Sequence, residues 1–178
     1  MKPFFSHRGL SIRFVEESDL NLVRALRNDE TTWMNLTDPR PLSPSDQQAW
    51  FGSIGARSGK FYFVAFNADI PFIGLVRMDE YDTIQRSIRV GADVAPNLRG
   101  RGHGGRIYDT IKAYCFDQLG LHRVHLEVLA TNPAERLYQR KGFKLEGRKR
   151  HAVFRNGCYV DYLLYSILET EYRTETVE

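Results

Sequence analysis

The sequence predicts an α/β (α+β) fold, with a mixed, mostly antiparallel twisted sheet of about seven strands and flanking helices. Strand-like runs follow one another between Phe61 and Val94 with only turns between them, and the last of these runs, 87–94, has a two-residue hydrophobic period. A helical pattern then precedes the next strand, which predicts a right-handed parallel crossover between the fourth and fifth predicted strands. The composition, 42% hydrophobic and 26% charged, suits a single domain, 1–178, with the ends 1–8 and 170–178 expected to fray.

Two helices are predicted before the central strands. An alternating strand at 10–14 leads into a helix that runs through Arg27, with Ser18 as its expected N-cap. Residues 28–42 show no hydrophobic period and predict an irregular loop. Ser43 has the features of a second N-cap, because a proline follows it and an aspartate lies in the first helical turn.

The remaining strands are predicted to pair across short turns. The β-prone runs 61–66 and 72–76 predict a hairpin, and the run 87–94 alternates as a half-buried strand. Gly91 interrupts that strand and predicts a bulge or a close backbone approach. Asn156-Gly157 predicts a type I′ turn between the last two strands.

A glycine-rich turn follows the strand that ends at Val94. Its sequence, Arg99-Gly-Arg-Gly-His-Gly104, precedes a helix with apolar residues three and four positions apart. Glycines let backbone N–H groups approach an anion, and the first helical turn offers unpaired donors and a positive dipole end. The spacing matches neither a dinucleotide fingerprint nor a P-loop. The segment predicts an anion site, and a flexible loop before a helix remains the alternative.

Two motifs resemble those of the GCN5-related N-acetyltransferase (GNAT) family. The segment 99–104 is similar to the family's Arg/Gln-x-x-Gly-x-Gly/Ala pyrophosphate loop. The segment 132–143 is similar to the family's short helix, which begins at an Asn and closes with Tyr-x-x-x-Gly-Phe, although the Ala lies one place early. The resemblance implies the family's fold along nearly the whole chain. Within the family, it extends to the ribosomal-protein N-terminal, nucleotide-amino-sugar and polyamine acetyltransferases.

The resemblance implies acetyl-CoA as co-substrate and an amine as acceptor. By this analogy the Val94 backbone polarises the thioester carbonyl, and Tyr138 is the acid that protonates the departing thiolate. Core packing is the alternative role for Tyr138. Glu80 is a candidate general base, and a solvated acidic turn is the equal alternative. The implied donor-binding residues are Val94, Arg99, Gly100, Arg101, Gly102, His103, Gly104 and Asn132.

The sequence leaves two questions open: which amine is the acceptor, and whether the protein is a catalyst at all. An amino sugar, a polyamine and a protein N-terminus all fit the resemblance, although Arg89 in the strand before the glycine turn would repel a polycation. A noncatalytic acyl-CoA-binding regulatory module is the alternative to an enzyme.

Other partners are not predicted. The net charge of +3 without a basic stripe does not favour nucleic acid, and the histidines lack metal-ligand spacing, so no metal is expected. No apolar run approaches the length of a membrane span, so a cytoplasmic protein without membrane contact is expected, with a homodimer as an open option.

Overall fold

A computed structural model describes residues 2–55 and 59–175 and contains an eight-stranded sheet. The strands are β1 (Phe5–His7), β2 (Leu10–Phe14), β3 (Phe61–Phe66), β4 (Gly74–Asp82), β5 (Ser87–Val94), β6 (Arg123–Leu129), β7 (Lys144–Arg155) and β8 (Cys158–Leu168). Their spatial order is β1-β2-β3-β4-β5-β6-β8-β7. Only β5 and β6 pair in parallel; the other neighbours are antiparallel in the described sheet. The predicted fold class and crossover are confirmed.

Six helices flank this sheet in the described chain. They are α1 (Leu20–Asn28), α2 (Glu30–Trp33), α3 (Pro44–Ser53), α4 (His103–Ala113), α5 (Glu135–Arg140) and α6 (Glu169–Glu175). Helix α4 buries Ile107 and Ile111 in the main core, while α1 packs Val23 and Leu26 into a second cluster with Val64 of β3. Apolar side chains therefore cover both faces of the sheet.

The chain ends are more regular than predicted. Phe5 pairs with Ile12 and makes β1 an edge strand, which accounts for eight strands rather than about seven. At the other end, the Tyr172 ring of α6 stacks on Phe116 with centroids 4.9 Å apart. Strand pairing and aromatic packing thus order most of the two chain ends, which were predicted to fray. Residues 1 and 176–178 of the predicted frayed ends lie outside the described residues.

The predicted helix starts are partly correct. Ser43 is the N-cap of α3, because its Oγ accepts a hydrogen bond from the Asp46 N–H at 3.1 Å. Ser18 as the N-cap of α1 is wrong. The chain first forms a short 3₁₀ turn, and the Asp19 carboxylate accepts from the Glu16 N–H at 2.8 Å before α1 begins. The loop at 28–42 also contains the one-turn helix α2.

The strands β4 and β5 show that the predicted bulge at Gly91 is wrong. Their register is regular from Gly74 opposite Val94 to Asp79 opposite Arg89, and the irregularity lies between Asp79 and Asp82. The missing side chain of Gly91 instead makes room for the Arg77 guanidinium, because a Cβ there would lie 2.7 Å from Nη2.

Strands β5 and β6 separate along their length. They pair only from Ser87 opposite Arg123 to Arg89 opposite His125, although β5 continues to Val94 and β6 to Leu129. Backbone groups of the later residues on these facing edges are therefore left without ladder partners between β5 and β6. The separation opens a gap in the middle of the sheet.

Gly74→Ala is expected to lower the free energy of unfolding by about 2–3 kcal/mol, because an overpacked strand cannot shift freely. A Cβ at Gly74 would lie 2.2 Å from the backbone oxygen of Asp93. Gly91→Ala is the matched control, since only the flexible end of Arg77 must move to accommodate its Cβ. Urea unfolding of both variants measures the difference, and equal losses of stability would contradict this account.

Candidate active site

A cleft of about 1270 Å³ occupies the gap between β5 and β6. Its walls come from elements that are far apart in the chain: the segment 31–37, the ends of β5 and β6, the glycine turn with the start of α4, the segment 131–138 and the hairpin between β7 and β8. A cleft of this size can hold a large ligand together with a second, smaller molecule.

The glycine turn gives the cleft an anion-binding end. Gly100 and Gly102 have φ angles of 75° and 82°, a left-handed conformation that glycine adopts without steric cost. Within the described chain, no heavy atom beyond their own neighbours lies within 4 Å of a Cβ built on either glycine. The helical bond from the Arg106 N–H to the Gly102 oxygen leaves the preceding first-turn amides without acceptors inside α4. This backbone fits a diphosphate group.

Gly104 and Gly105 have a packing role as well. A Cβ on Gly104 would lie 3.1 Å from the Leu137 side chain, and a Cβ on Gly105 would lie 3.0 Å from the side chain of Lys141. Both glycines therefore let α4 approach α5 closely. Gly105 did not follow from the motif, although its position next to Gly104 is a signal for close helix packing.

The three basic side chains of the turn differ in their surroundings. The Arg99 guanidinium bonds the Val94 oxygen at 3.0 Å and the hydroxyls of Thr31 and Thr32 in the α2 segment. Arg101 is exposed and does not line the cleft. His103 is buried, with a buried Nδ1 that has no hydrogen-bond partner in the described chain. This end of the cleft is therefore formed by backbone amides and, of the three basic side chains, only by Arg99.

The Val94 N–H faces the gap. The neighbouring Ala95 N–H donates to the Ile73 oxygen at 2.9 Å, across the β4 side of the strand. Because backbone groups alternate in direction along an antiparallel ladder, the N–H and C=O of Val94 point the other way. The bond from Arg99 to the Val94 oxygen agrees with this direction. One N–H donor therefore points to the cleft at the C-terminal end of β5.

Tyr138 lines the cleft from α5 and is only 7% exposed. Its ring packs edge-on against Tyr108 of α4, with centroids 5.2 Å apart. Burial raises the pKa of Tyr138, and the neighbouring Tyr108 hydroxyl opposes part of that rise. The Tyr138 phenol therefore keeps its proton at neutral pH. The buried phenol is therefore a proton donor at neutral pH.

Helix α5 is short but firmly held. It has six residues and begins only after a turn in which the Asn132 side chain accepts from the Ala134 N–H at 2.9 Å. Behind the helix, the Tyr165 hydroxyl donates to Glu135 at 2.6 Å, and the Lys112 ammonium donates to the Lys141 oxygen at 2.8 Å. These contacts fix the position of Tyr138 relative to the sheet.

Glu80 lies apart from the other predicted site residues. It has a φ of 52° in the irregular part of β4, its side chain is 55% exposed, and it pairs with Arg89 at 2.9 Å. It does not line the cleft. The neighbouring Asp79 does, but the Arg89 guanidinium bonds both of its carboxylate oxygens, at 2.8 and 3.0 Å.

Neither a membrane-spanning helix nor a metal-binding cluster occurs in the described residues. No helix there has both the length and the apolar character to cross a membrane. No group of three or more His, Cys, Asp or Glu residues in the same ranges could hold a metal ion.

Comparisons with known proteins agree with this geometry. The model of the acetyltransferase (GNAT) domain matches residues 10–144. The spermidine N(1)-acetyltransferase of Vibrio cholerae is 30% identical over 165 residues, which cover 92% of this chain and 95% of the relative. The L-amino acid N-acetyltransferase AaaT of Escherichia coli is 29% identical over 154 residues, or 84% and 92% of the two chains.

A solved structure extends the comparison to three dimensions. The crystal structure of spermidine N-acetyltransferase from Vibrio cholerae in complex with CoA and spermine matches with a TM-score of 0.84 at 29% identity, over 94% of this chain and 99% of that one. Family match, sheet topology and these relatives favour an enzyme over a noncatalytic module. The chain belongs to the GCN5-related N-acetyltransferase family, as an acyltransferase that moves an acetyl group from acetyl-CoA to an amine.

Proposed function

We propose that the acceptor is the primary amine of a small molecule or of a protein N-terminus, and that it attacks acetyl-CoA directly in a ternary complex. The observation that carries the proposal is that one cleft is lined by the glycine turn, by Val94 and by Tyr138. An anion-binding turn, an N–H donor and a buried phenol are the groups that aminolysis of a thioester of CoA requires.

In the proposed reaction, a neutral amine attacks the thioester carbon and forms the C–N bond. The Val94 N–H stabilises the negative charge that develops on the carbonyl oxygen. As the C–S bond breaks, the Tyr138 phenol donates its proton to the sulfur, and the amine loses its extra proton to water. The glycine turn holds the diphosphate of the donor, with Arg99 and Asn132 beside it. Solvent then returns a proton to Tyr138.

We assign no side chain to deprotonation of the amine. Each carboxylate that lines the cleft in the described chain, Asp79, Asp93 and Glu127, lies within ion-pair distance of a basic partner. Glu80 is paired and lies outside the cleft lining, which argues against its proposed role as general base. The roles of Arg101 and His103 toward the donor, the homodimer and the cytoplasmic location stay predictions from the sequence.

The test is amine-dependent release of CoA thiol, measured with a chromogenic disulfide. Acetyl-CoA is supplied at saturation with a panel of polyamines, amino sugars, amino acids and peptides with free N-termini. We expect at least one class to raise thiol release well above hydrolysis, with an acetylated product detected by mass spectrometry. Tight acetyl-CoA binding without amine-dependent release would instead support the noncatalytic module.

A further inference from the structure

We propose that the acceptor amine also carries an anionic group, a carboxylate or a phosphate, which binds to a cluster of three arginines at the acceptor side of the cleft. The cluster consists of Arg27, Arg77 and Arg155, and the acceptor side is the part of the cleft lined by the segment 31–37 and by the hairpin between β7 and β8. The part of the inference that concerns the amine rests on the proposed function. The part that concerns the anion rests on the cluster itself.

The three arginines converge from three elements. Arg27 of α1 donates to the backbone oxygen of Asp38. Arg155 of β7 donates to the backbone oxygens of Leu36 and Thr37, so both arginines hold the same loop segment. Arg77 of β4 and Arg155 both line the cleft. Burial, together with the nearby charges of Arg77 and Arg155, lowers the pKa of Arg27. The shared loop segment 36–38 joins Arg27 to Arg155, and the cleft wall joins Arg155 to Arg77, so the three side chains form one cluster.

Each arginine of the cluster has a buried donor without an acceptor. Arg27 Nη1, Arg77 Nε and Arg155 Nε are all buried and have no hydrogen-bond partner in the part of the chain that the structure describes. A buried charged donor without a partner destabilises the folded state. Two of these side chains, Arg77 and Arg155, line the cleft, which indicates a site whose acceptors are supplied by a ligand.

The carboxylates nearby do not neutralise the cluster. Asp93 lies 3.9 Å from Arg77, which is a long ion pair. The Asp38 carboxylate bonds the exposed Arg40, at 2.7 Å to Nη2, and also acts on Arg27 through space. The three guanidinium groups thus outnumber these carboxylates, so the acceptor side of the cleft attracts an anion and repels a polycation. Guanidinium groups also match the planar or tetrahedral oxygens of carboxylate and phosphate.

The cluster is near the reacting centre. Arg77 packs against Gly91, three residues before Val94 on the same strand, which corresponds to about 10 Å along β5. Its charge also acts on Tyr138, because it lowers the pKa of that phenol against the larger effect of burial. An acceptor that bridges the cluster and the Val94 N–H therefore carries its anionic group several bonds away from its amine. Phosphorylated amino sugars and ω-amino acids have this form.

Matched acceptors test the preference directly. Each pair shares one amine and differs in the anion: 6-aminohexanoate against 6-aminohexanamide for carboxylate, and glucosamine 6-phosphate against glucosamine for phosphate, with spermidine as the polycation. We expect kcat/KM to be at least about 10-fold higher for the anionic member of one pair, which also names the anion. Equal or higher kcat/KM for spermidine and both uncharged members would overturn the inference.

Anion binding is measured separately, without turnover. CoA is kept at saturation to fill the glycine turn, and inorganic phosphate is then added while the Tm is followed. Phosphate is expected to raise the Tm of the wild type and of Arg150→Met, whose arginine is exposed on β7. The increase should be lost in Arg77→Met and partly restored in Arg77→Lys. An increase that persists in Arg77→Met, or no increase in the wild type, contradicts the cluster as an anion site.

The two experiments separate the inference from the proposed function. A phosphate effect that depends on Arg77, with no amine acetylated, would support the anion site and refute the proposed acceptors. Acetylation of uncharged amines without any phosphate effect would support the proposed function and refute the anion site. Should Arg77→Met fail to fold, Arg77→Lys and the matched acceptors with the wild-type enzyme still decide the preference.

Discussion

Tyr138→Phe is expected to lower kcat by at least about 100-fold, the usual contribution of a positioned general acid, while the Kd for acetyl-CoA changes less than about threefold. The variant keeps the ring that packs against Tyr108 and removes only the hydroxyl. The thiolate must then leave without a proton from the enzyme. Steady-state kinetics and equilibrium binding of acetyl-CoA measure the two quantities separately.

The pH dependence has a defined sign. Tyr138 acts as an acid when protonated, and burial raises its pKa. Activity that depends on this phenol is therefore present at neutral pH and is lost as the pH rises through its pKa, above the ordinary value of about 10 for tyrosine. In Tyr138→Phe the alkaline loss that belongs to this group should disappear from the kcat profile.

Two variants serve as controls for this prediction. Tyr159→Phe removes the hydroxyl of an exposed tyrosine, and we expect unchanged kcat. Glu80→Gln removes the exposed carboxylate that pairs with Arg89, and we expect a change of less than about fivefold. Unchanged kcat in Tyr138→Phe would remove the phenol from the mechanism. A large loss in Glu80→Gln would restore Glu80 as a base.

Features encoded by neighbouring residues could be predicted from the sequence. The Asn156-Gly157 turn is an example, because two residues with positive φ define it, and the structure gives 49° and 79° at these positions. The N-cap at Ser43 and the glycine turn before α4 are equally local. Each depends on a short segment whose conformation its own residues restrict, so one sequence suffices to recognise it.

Features formed between distant segments could not be predicted. Arg99 looks like a phosphate ligand in the motif, but its guanidinium contacts Thr31 and Thr32, which lie 68 and 67 residues earlier. The arginine cluster likewise joins α1, β4 and β7. Such groupings depend on how the sheet brings segments together, and the spacing of residues along one chain carries no signal for them.

Arg99 also links two walls of the cleft, the end of β5 and the α2 segment. Its guanidinium joins the Val94 oxygen, at 3.0 Å, to the α2 segment that walls the acceptor side of the cleft. A single side chain thereby links the glycine turn, the strand edge with the Val94 N–H and the acceptor loop. The glycine turn and the α2 segment are thus linked by hydrogen bonds, although they are far apart in the chain.

Asp19→Ala is expected to cost about 3–5 kcal/mol in the free energy of unfolding, because it leaves the buried Arg13 guanidinium without that carboxylate. The two side chains are 8% and 7% exposed and form two hydrogen bonds of 2.7 Å. Asp38→Ala is the matched control. It breaks an ion pair with Arg40 at the surface, with 84% and 46% of the side chains exposed, and should cost less than about 1 kcal/mol.

The same pair predicts how stability depends on pH. Burial alone would raise the pKa of Asp19, but the hydrogen bonds from Arg13 and from the Glu16 N–H lower it below 3.8. A carboxyl with a lowered pKa in the folded state stabilises the protein above its unfolded pKa, and this contribution is lost as the pH falls through the folded value. Urea unfolding at several pH values below 4 should therefore show a shallower decline for Asp19→Asn than for the wild type. Parallel declines, or equal stabilities of Asp19→Ala and Asp38→Ala, would show that this buried pair does not stabilise the junction between β2 and α1.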